Sequence, residues 1–289
     1  MLTSALKQFL TPNARRQLRA LQRRLAYVKE CIRGGGRLRE FILVKLLEQH
    51  YNSKFCRQWV LGKELPHFFD QRLGFFQFGF GGNGRGPYSF YRGFFSSQIL
   101  YDGDHLLDIG CGDGFFTKRF FAERCAHIDA LDIERTAIKA AIHYNRAPNI
   151  TYHLLDAVHE AFPSNTYDVI VWDGALGHFS PETTDHMLQK IYQSLAPHGV
   201  FVGSESLGVE GSDHLQFFDS LEDLYVIFKT YFRYIELRQE AYKIGHGEFV
   251  RKEAYWRCSN DPRRLRETHW QKFSSMDEGS DSELAKIGD

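Results

Sequence analysis

Nine residues constrain this chain more than any others. Leu106-Leu107-Asp108-Ile109-Gly110-Cys111-Gly112-Asp113-Gly114 runs an apolar stretch straight into three glycines at alternate positions. An apolar strand, a glycine turn and then a helical pattern make a βα unit, with backbone N–H groups and a cleft at the strand's carboxyl end. A pyrophosphate-binding dinucleotide turn needs its third glycine one residue later, where this chain has Phe115. The D-x-G-x-G-x-G form therefore suits a ligand without a diphosphate.

From about residue 104 onward the pattern strand, turn, helix repeats. Strands are predicted at His105–Ile109, His127–Asp132, Ile150–Leu155, Tyr167–Asp173, Val200–Ser204, Arg233–Tyr242 and Phe249–Cys258. Helical stretches are predicted near Phe115–Arg124, Arg135–Asn145, Glu182–Leu195 and Ser220–Lys229. Such alternation implies parallel strands joined by right-handed crossovers. Only Gly245-His246-Gly247 separates the last two strands, which predicts an antiparallel hairpin. The expected fold is α/β: a doubly wound seven-stranded sheet, mostly parallel, with a C-terminal antiparallel hairpin strand and an N-terminal helical region ahead of it.

Two further acids fall at strand ends. Asp132 lies 22 residues after Gly110, where a carboxylate can accept from both ribose hydroxyls. Asp156 closes the third strand and is placed to accept from an exocyclic adenine amine. With these residues in view, the stretch of about 88–260 resembles a class I S-adenosylmethionine-dependent methyltransferase, whose fold is Rossmann-like. The resemblance assigns Asp108, Gly110, Gly112 and Gly114 to the methionine end of S-adenosyl-L-methionine, Asp132 to its ribose and Asp156 to its adenine. Tyr167–Asp173 resembles the family's fourth strand, which brings Asp173 into the cofactor set. Leu195-Ala196-Pro197-His198-Gly199 resembles the turn before its fifth, with His198 in place of a glycine. A narrower resemblance, to methyltransferases of bacterial surface-polysaccharide clusters, rests on Phe68–Arg72, Tyr91–Gly93, Gly112–Phe116 and Trp172–Phe179. Gln71 and Gly177 depart from that group's pattern.

Methyl transfer from a sulfonium depends on alignment and on excluding water, and a hydroxyl acceptor gains from a general base. His178, just after the fourth strand, and His214, after the fifth, are the candidate catalytic residues. Glu205 ends the fifth strand on the same rim. Asp173, His178, Glu205 and His214 match no ligand spacing, so no zinc or other metal is expected. No Asn/Asp-Pro-Pro-Tyr/Phe sequence follows the fourth strand, which speaks against base N-methylation; the chain there reads Asp173-Gly174-Ala175-Leu176.

The flanks differ from this domain. Thr11-Pro12 is a helix start, and Leu18, Leu21, Leu25, Val28 and Ile32 form one apolar face; a second helix is expected over about 38–50. Residues 66–96 hold nine Phe and seven Gly, read as a loop pinned by aromatics that folds over the cofactor as a lid. Tyr88, Tyr91 and Arg92 would line it, with Arg92 pairing the cofactor's carboxylate. With three arginines it is too weakly charged for a nucleic-acid groove, and nucleic acid is not an expected partner. The domain plan is 1–60 basic helices, 61–98 Phe/Gly-rich loop or lid, 99–260 catalytic domain and 261–289 polar, acidic tail.

Lys+Arg and Asp+Glu both number 36 in 289 residues, but residues 1–40 hold ten basic against two acidic groups. Any anionic contact must therefore be local, through a solvated, membrane-facing or targeting helix. No apolar run reaches the roughly 18–20 residues of a membrane span. Five cysteines form no C-x-x-C pair, which argues against a disulfide scaffold or zinc ribbon. The expected function is O-methylation of a small-molecule or glycan acceptor in the cytoplasm, with peripheral contact at the inner membrane face through residues 1–40. The alternatives are an RNA or quinone/lipid methyltransferase, or a non-catalytic module whose basic N-terminus holds nucleic acid or a partner.

Overall fold

The computed structural model describes residues 88–208, 214–244, 249–265 and 271–274, together with the isolated helical positions Ile42 and Leu46. The expected helix after Thr11, all but those two positions of the helix after Leu38, the Phe/Gly residues before Tyr88, the Gly245–Gly247 turn and the acidic tail lie outside the described residues. The chain divides into two units, Met1–Lys63 and Glu64–Asp289, and every element named below belongs to the second.

The elements in chain order are α1 (Tyr88–Ser97), β1 (His105–Ile109), β2 (His127–Asp132), α2 (Arg135–Tyr144), β3 (Ile150–Leu154), β4 (Tyr167–Asp173), α3 (Pro181–Ser194), β5 (Leu195–Leu207), α4 (Leu221–Phe228), β6 (Tyr234–Ile244), β7 (Phe249–Ser259) and β8 (Gln271–Ser274). They build one sheet in the order β3-β2-β1-β4-β5-β7-β6-β8. Strands β1 to β5 are parallel, while β7 runs antiparallel between β5 and β6. This is the mostly parallel, seven-stranded, Rossmann-like architecture expected from the sequence. An eighth strand, β8, adds to the outer edge of β6. Because β2 and β4 flank β1 on opposite sides, the chain reverses direction at β1, where a doubly wound sheet opens its cleft.

Strand alternation sorts the core into two layers. Leu107, Ile109, Ile170, Trp172 and Phe201 face Met187 and Ile191 of α3 and Leu224 and Phe228 of α4. Leu106, Ile128, Ala130, Val169, Val171, Val200 and Val202 face the other way, toward Ile138 of α2 with Ile99 and Phe121. The strands are apolar on both faces, as parallel strands covered by helices on both sides must be. Both N-caps of α3 and α4 are serines: Ser180 accepts from Thr183 N–H, and Ser220 forms a reciprocal capping box with Asp223.

Three local readings are corrected. Phe115–Arg124, expected as a regular helix, opens into a π-helical turn at Thr117–Phe121 and a 3-10 turn at Ala122–Arg124. The wide turn carries the Thr117 hydroxyl back to Asp108, 2.5 Å away. Residues 88–97, read as part of a loop, are the helix α1. Tyr91 and Phe95, one turn apart, pack on Tyr242 and Tyr255 with centroids 5.6 and 4.6 Å apart respectively. Leu195–Gly199, read as a turn, starts β5 irregularly: Tyr167 pairs with Leu195 and Val169 with Val200, so the extra residues bulge out. Cys111, Cys125 and Cys258 are free and buried, and among the described residues no helix is long and apolar enough to cross a membrane.

Phe201 sits between Phe228, Phe232 and Trp256, with centroids 5.6 to 5.8 Å away. Phe201→Ala is expected to lower the unfolding free energy in urea by about 3–5 kcal/mol. Ile142→Ala on the exposed face of α2 should change it by less than about 0.5 kcal/mol.

Candidate active site

The glycine turn after β1 is held by its neighbour strand. Gly110 and Cys111 donate N–H bonds to the Leu131 carbonyl at 2.8 and 3.0 Å. Gly110, Gly112 and Gly114 have φ of 74°, 57° and 72°, a region that side chains disfavour. The two ends differ in surroundings. A Cβ on Gly110 would meet nothing within 4 Å, whereas one on Gly114 would collide with the Tyr152 hydroxyl. The turn is packed at its back and open at its front.

Three carboxylates gather where β1, β2 and β4 end. Asp132 accepts from Gly112 N–H at 2.9 Å and Glu134 N–H at 2.8 Å, bracing the turn. Burial raises its carboxyl above the ordinary range. Burial also lifts Asp108 to about 7, against the Thr117 hydrogen bond and with help from the nearby Asp173 and Asp132 charges. Asp173 is likewise raised by burial to about 7, although Arg92 and the Ser96 and Ser204 hydroxyls favour its charged form. Ser96 donates to its Oδ2 at 3.2 Å, and Oδ1 is buried with no hydrogen-bond partner among the described residues. Arg92 offsets the charge of Asp173 alone, and Asp108, facing the charges of Asp173 and Asp132, has no cation among its named partners. The ammonium and sulfonium of S-adenosylmethionine fit that need, and the open front of Gly110 fits its approach.

Asp156 lies apart from this cluster. Its carboxylate is held low by His159, 2.8 Å away, and accepts from Val158 N–H. Arg92, expected at the cofactor's carboxylate, directs Nε and Nη2 instead to Glu253 at 2.9 and 2.7 Å. Its guanidinium crosses Gly174, where a Cβ would strike it. Glu253 also accepts from Arg251, so Arg92 anchors α1 to β7 beside the cleft.

The two candidate catalytic histidines come together. Their ring centroids are 4.4 Å apart. Leu215 and Gln216 donate N–H bonds to the Gly177 carbonyl, docking the His214 loop on the turn Leu176–His178. Gly177 is required there, because a Cβ would run into the His214 ring. Behind them Glu205 is fully buried, accepting from Gly177 N–H at 2.8 Å and Ser206 N–H at 2.9 Å, with His214 Nε2 3.9 Å away. Burial alone would raise its carboxyl; His214, Gly177, Arg92 and Ser206 bring it down to about 2. His178 itself is exposed on the rim.

Sequence reasoning named Glu205 as a strand end without its tie to His214, and it missed Thr117, Ser96 and Glu253. Only Thr117 carried a local signal: a hydroxyl three residues past the last glycine falls in the first helical turn, facing back to the strand.

Residues 106–199 match the family model of a methyltransferase domain. EEF1A lysine methyltransferase 4 of Mus musculus is 25% identical over 142 residues, which is 43% of this chain and 56% of that protein. The mitochondrial arginine-hydroxylase NDUFAF5 of Rattus norvegicus is 34% identical over 107 residues, 37% of this chain and 30% of its own length. Carboxy-S-adenosyl-L-methionine synthase of Shewanella amazonensis is 28% identical over 190 residues, 57% and 76% respectively. The chain thus spans about half or less of the first two. Among solved structures, the YcgJ protein of Bacillus subtilis has a TM-score of 0.50 at 14% identity, covering 58% of this chain and 97% of that one. This likeness concerns the fold. Residues 106–199 thus carry the pattern of a methyltransferase domain, on a sheet of Rossmann-like order.

Asp108 and Asp173 titrate near neutrality, which gives binding a definite pH dependence. A bound cation favours their charged forms, so affinity should rise with pH through about 7. Isothermal titration is expected to show roughly tenfold weaker cofactor binding at about pH 6 than at about pH 8. At about pH 7, binding should release protons, read from titrations in two buffers of different ionisation enthalpy.

Proposed function

We propose that this chain transfers a methyl group from S-adenosylmethionine to a hydroxyl of a small hydroxylated acceptor, such as a sugar of a glycan, with His178 as general base. The observation that carries this reading is the line Glu205–His214–His178 at the carboxyl ends of β4 and β5. Bound S-adenosylmethionine supplies an electrophilic methyl on a positively charged sulfur. The Gly110–Gly114 backbone with Asp108 and Asp173 would hold its methionine end, Asp132 its ribose hydroxyls and Asp156 its adenine amine.

His178 would take the proton that the acceptor oxygen loses on methylation. The anionic Glu205 orients His214 and places a fixed negative charge behind the paired rings, which favours the imidazolium formed on His178. Leu215 and Phe217, exposed beside His214, offer an apolar wall for the face of an acceptor ring. The excess of basic residues in 1–40 extends the proposal to a cytoplasmic enzyme whose acceptor is handled near an anionic membrane surface.

A second reading is a protein amine acceptor. The anionic Glu205 near His178 would attract a lysine ammonium, and one relative is named as a lysine methyltransferase. Mass spectrometry for a single added CH2, across glycans and lysine peptides, separates the two.

Asp132→Ala should abolish measurable cofactor binding. His178→Ala should bind cofactor normally and lower kcat by about 10²–10⁴-fold. Glu205→Gln should lower kcat without changing cofactor affinity. An unaltered rate in His178→Ala sinks the base assignment, and product on peptides alone replaces the hydroxyl acceptor with an amine.

A further inference from the structure

Three histidines outside the cleft cluster on one carboxylate. His105 opens β1, His127 opens β2, Asp129 follows two residues on, and His153 lies in β3. The parallel register sets His105 beside His127 and Leu107 beside Asp129. His127 and Asp129 therefore point to the same face of the sheet, at the amino ends of the strands. Nε2 of His105 is 2.9 Å from Asp129 Oδ2, and Nε2 of His127 is 3.4 Å from Oδ1. The ligand atoms of these three residues all lie within 4.8 Å of one another. Among the described residues they are the group of histidine, cysteine and acidic side chains that converges in this way.

We propose that His105, His127 and Asp129 form a binding site for a divalent transition-metal ion, with zinc as the best match, at the end of the sheet opposite the cofactor cleft. The donor set selects the ion: two imidazole nitrogens and one carboxylate suit zinc, whereas magnesium and calcium take oxygen ligands. Tetrahedral zinc with bonds of 2.0–2.1 Å spaces its ligand atoms about 3.3 Å apart. His105 lies 2.9 Å from Oδ2 and His127 3.4 Å from Oδ1, so each carboxylate oxygen has one histidine nitrogen near that spacing.

The surroundings are those of a held ligand. His153 Nε2 contacts Asp129 Oδ1 at 2.8 Å, and the Tyr167 hydroxyl donates to Oδ2 at 3.2 Å. These contacts fix the carboxylate from behind, as outer partners do around metal sites. The Asp129 side chain is 7% exposed, while His105 and His127 are 29% and 45% exposed. The anion is enclosed and the rim is open for an ion to enter, with water completing its coordination. Binding forms coordinate bonds from Nε2 of both histidines, so each ring carries its proton on Nδ1, and no redox change occurs. The β ladder already holds the ligands, so the ion would clamp β1 to β2.

The test uses the full-length chain without an affinity tag, stripped with a chelator and titrated with zinc chloride, and with cobalt(II) as a spectroscopic probe. One ion per chain is expected, with the visible bands of low-coordinate cobalt, a zinc-dependent rise in Tm, and the same result for His178→Ala. The double variant His105→Ala/His127→Ala should lose all three signals. His153→Ala should weaken zinc binding by roughly tenfold. His127→Gln keeps the size of the side chain and a donor to Asp129. It should retain the metal-free Tm yet bind zinc about tenfold or more weakly, which guards against a variant that fails to fold. Equal zinc uptake by wild type and His127→Gln, or no uptake by either, overturns the site.

Discussion

The burial of like charges at the carboxyl end of the sheet is the constraint on which the site depends. Asp108, Asp132 and Asp173 end three adjacent strands, and each is lifted above the ordinary carboxylate range chiefly by burial. A fold tolerates such a group when hydrogen bonds hold it and a cation completes it. The hydrogen bonds are present: Thr117 on Asp108, Gly112 and Glu134 on Asp132, Ser96 on Asp173. Even the irregular π-helical turn follows from this, since it is what brings Thr117 within reach of Asp108. A ligand bearing ammonium and sulfonium groups suits the remaining demand better than a phosphate would.

Glu205 shows how environment separates identical chemistries. It is as deeply buried as Asp108, yet it is held near 2 where Asp108 sits near 7. The difference lies in donors. Glu205 faces two backbone N–H groups, a serine hydroxyl, a histidine and the Arg92 charge; Asp108 faces one hydroxyl and two acids. One carboxyl is a permanent anion suited to orienting His214. Asp108 and Asp173, both lifted to about 7, are poised to change protonation when a cation arrives. Burial sets the scale of the shift and local donors set its direction.

What could be read in advance was local along the chain. The glycine spacing, the acids at 108 and 132 and the antiparallel pairing of β6 with β7 all follow from single turns or strands, where the periodicity of two and the turn residues speak directly. The pairing of His178 with His214 was legible only as two loops on one rim; their contact depends on Leu215 and Gln216 bonding to Gly177, thirty-eight residues or more away. Gly177 itself read as a departure from a pattern, and its reason is the His214 ring against its Cα. The Asp129 cluster was invisible for the same cause. His105, His127 and His153 are spaced by whole βα units, and only the register of three parallel strands places them on one carboxylate. A short β8 with four polar-flanked residues has too few positions to show alternation.

The helix α1 ties these parts together. Tyr91 and Phe95 bury their rings against the β6–β7 hairpin, Arg92 pairs with the buried Glu253, and Ser96 reaches Asp173. Arg257 adds a hydrogen bond from β7 to Gln98 at 2.8 Å. A buried arginine–glutamate pair contributes little net stability, since desolvation of both charges offsets their attraction. What it does contribute is position. With Glu253 fixed in the ladder between Ser206 and Glu240, Arg92 is held across Gly174 and within electrostatic reach of both Asp173 and Glu205. Arg92 and Ser96, at the end of the Phe/Gly segment, are thereby part of the site's electrostatics. The Arg92 charge lies between the acid that changes protonation and the acid that does not.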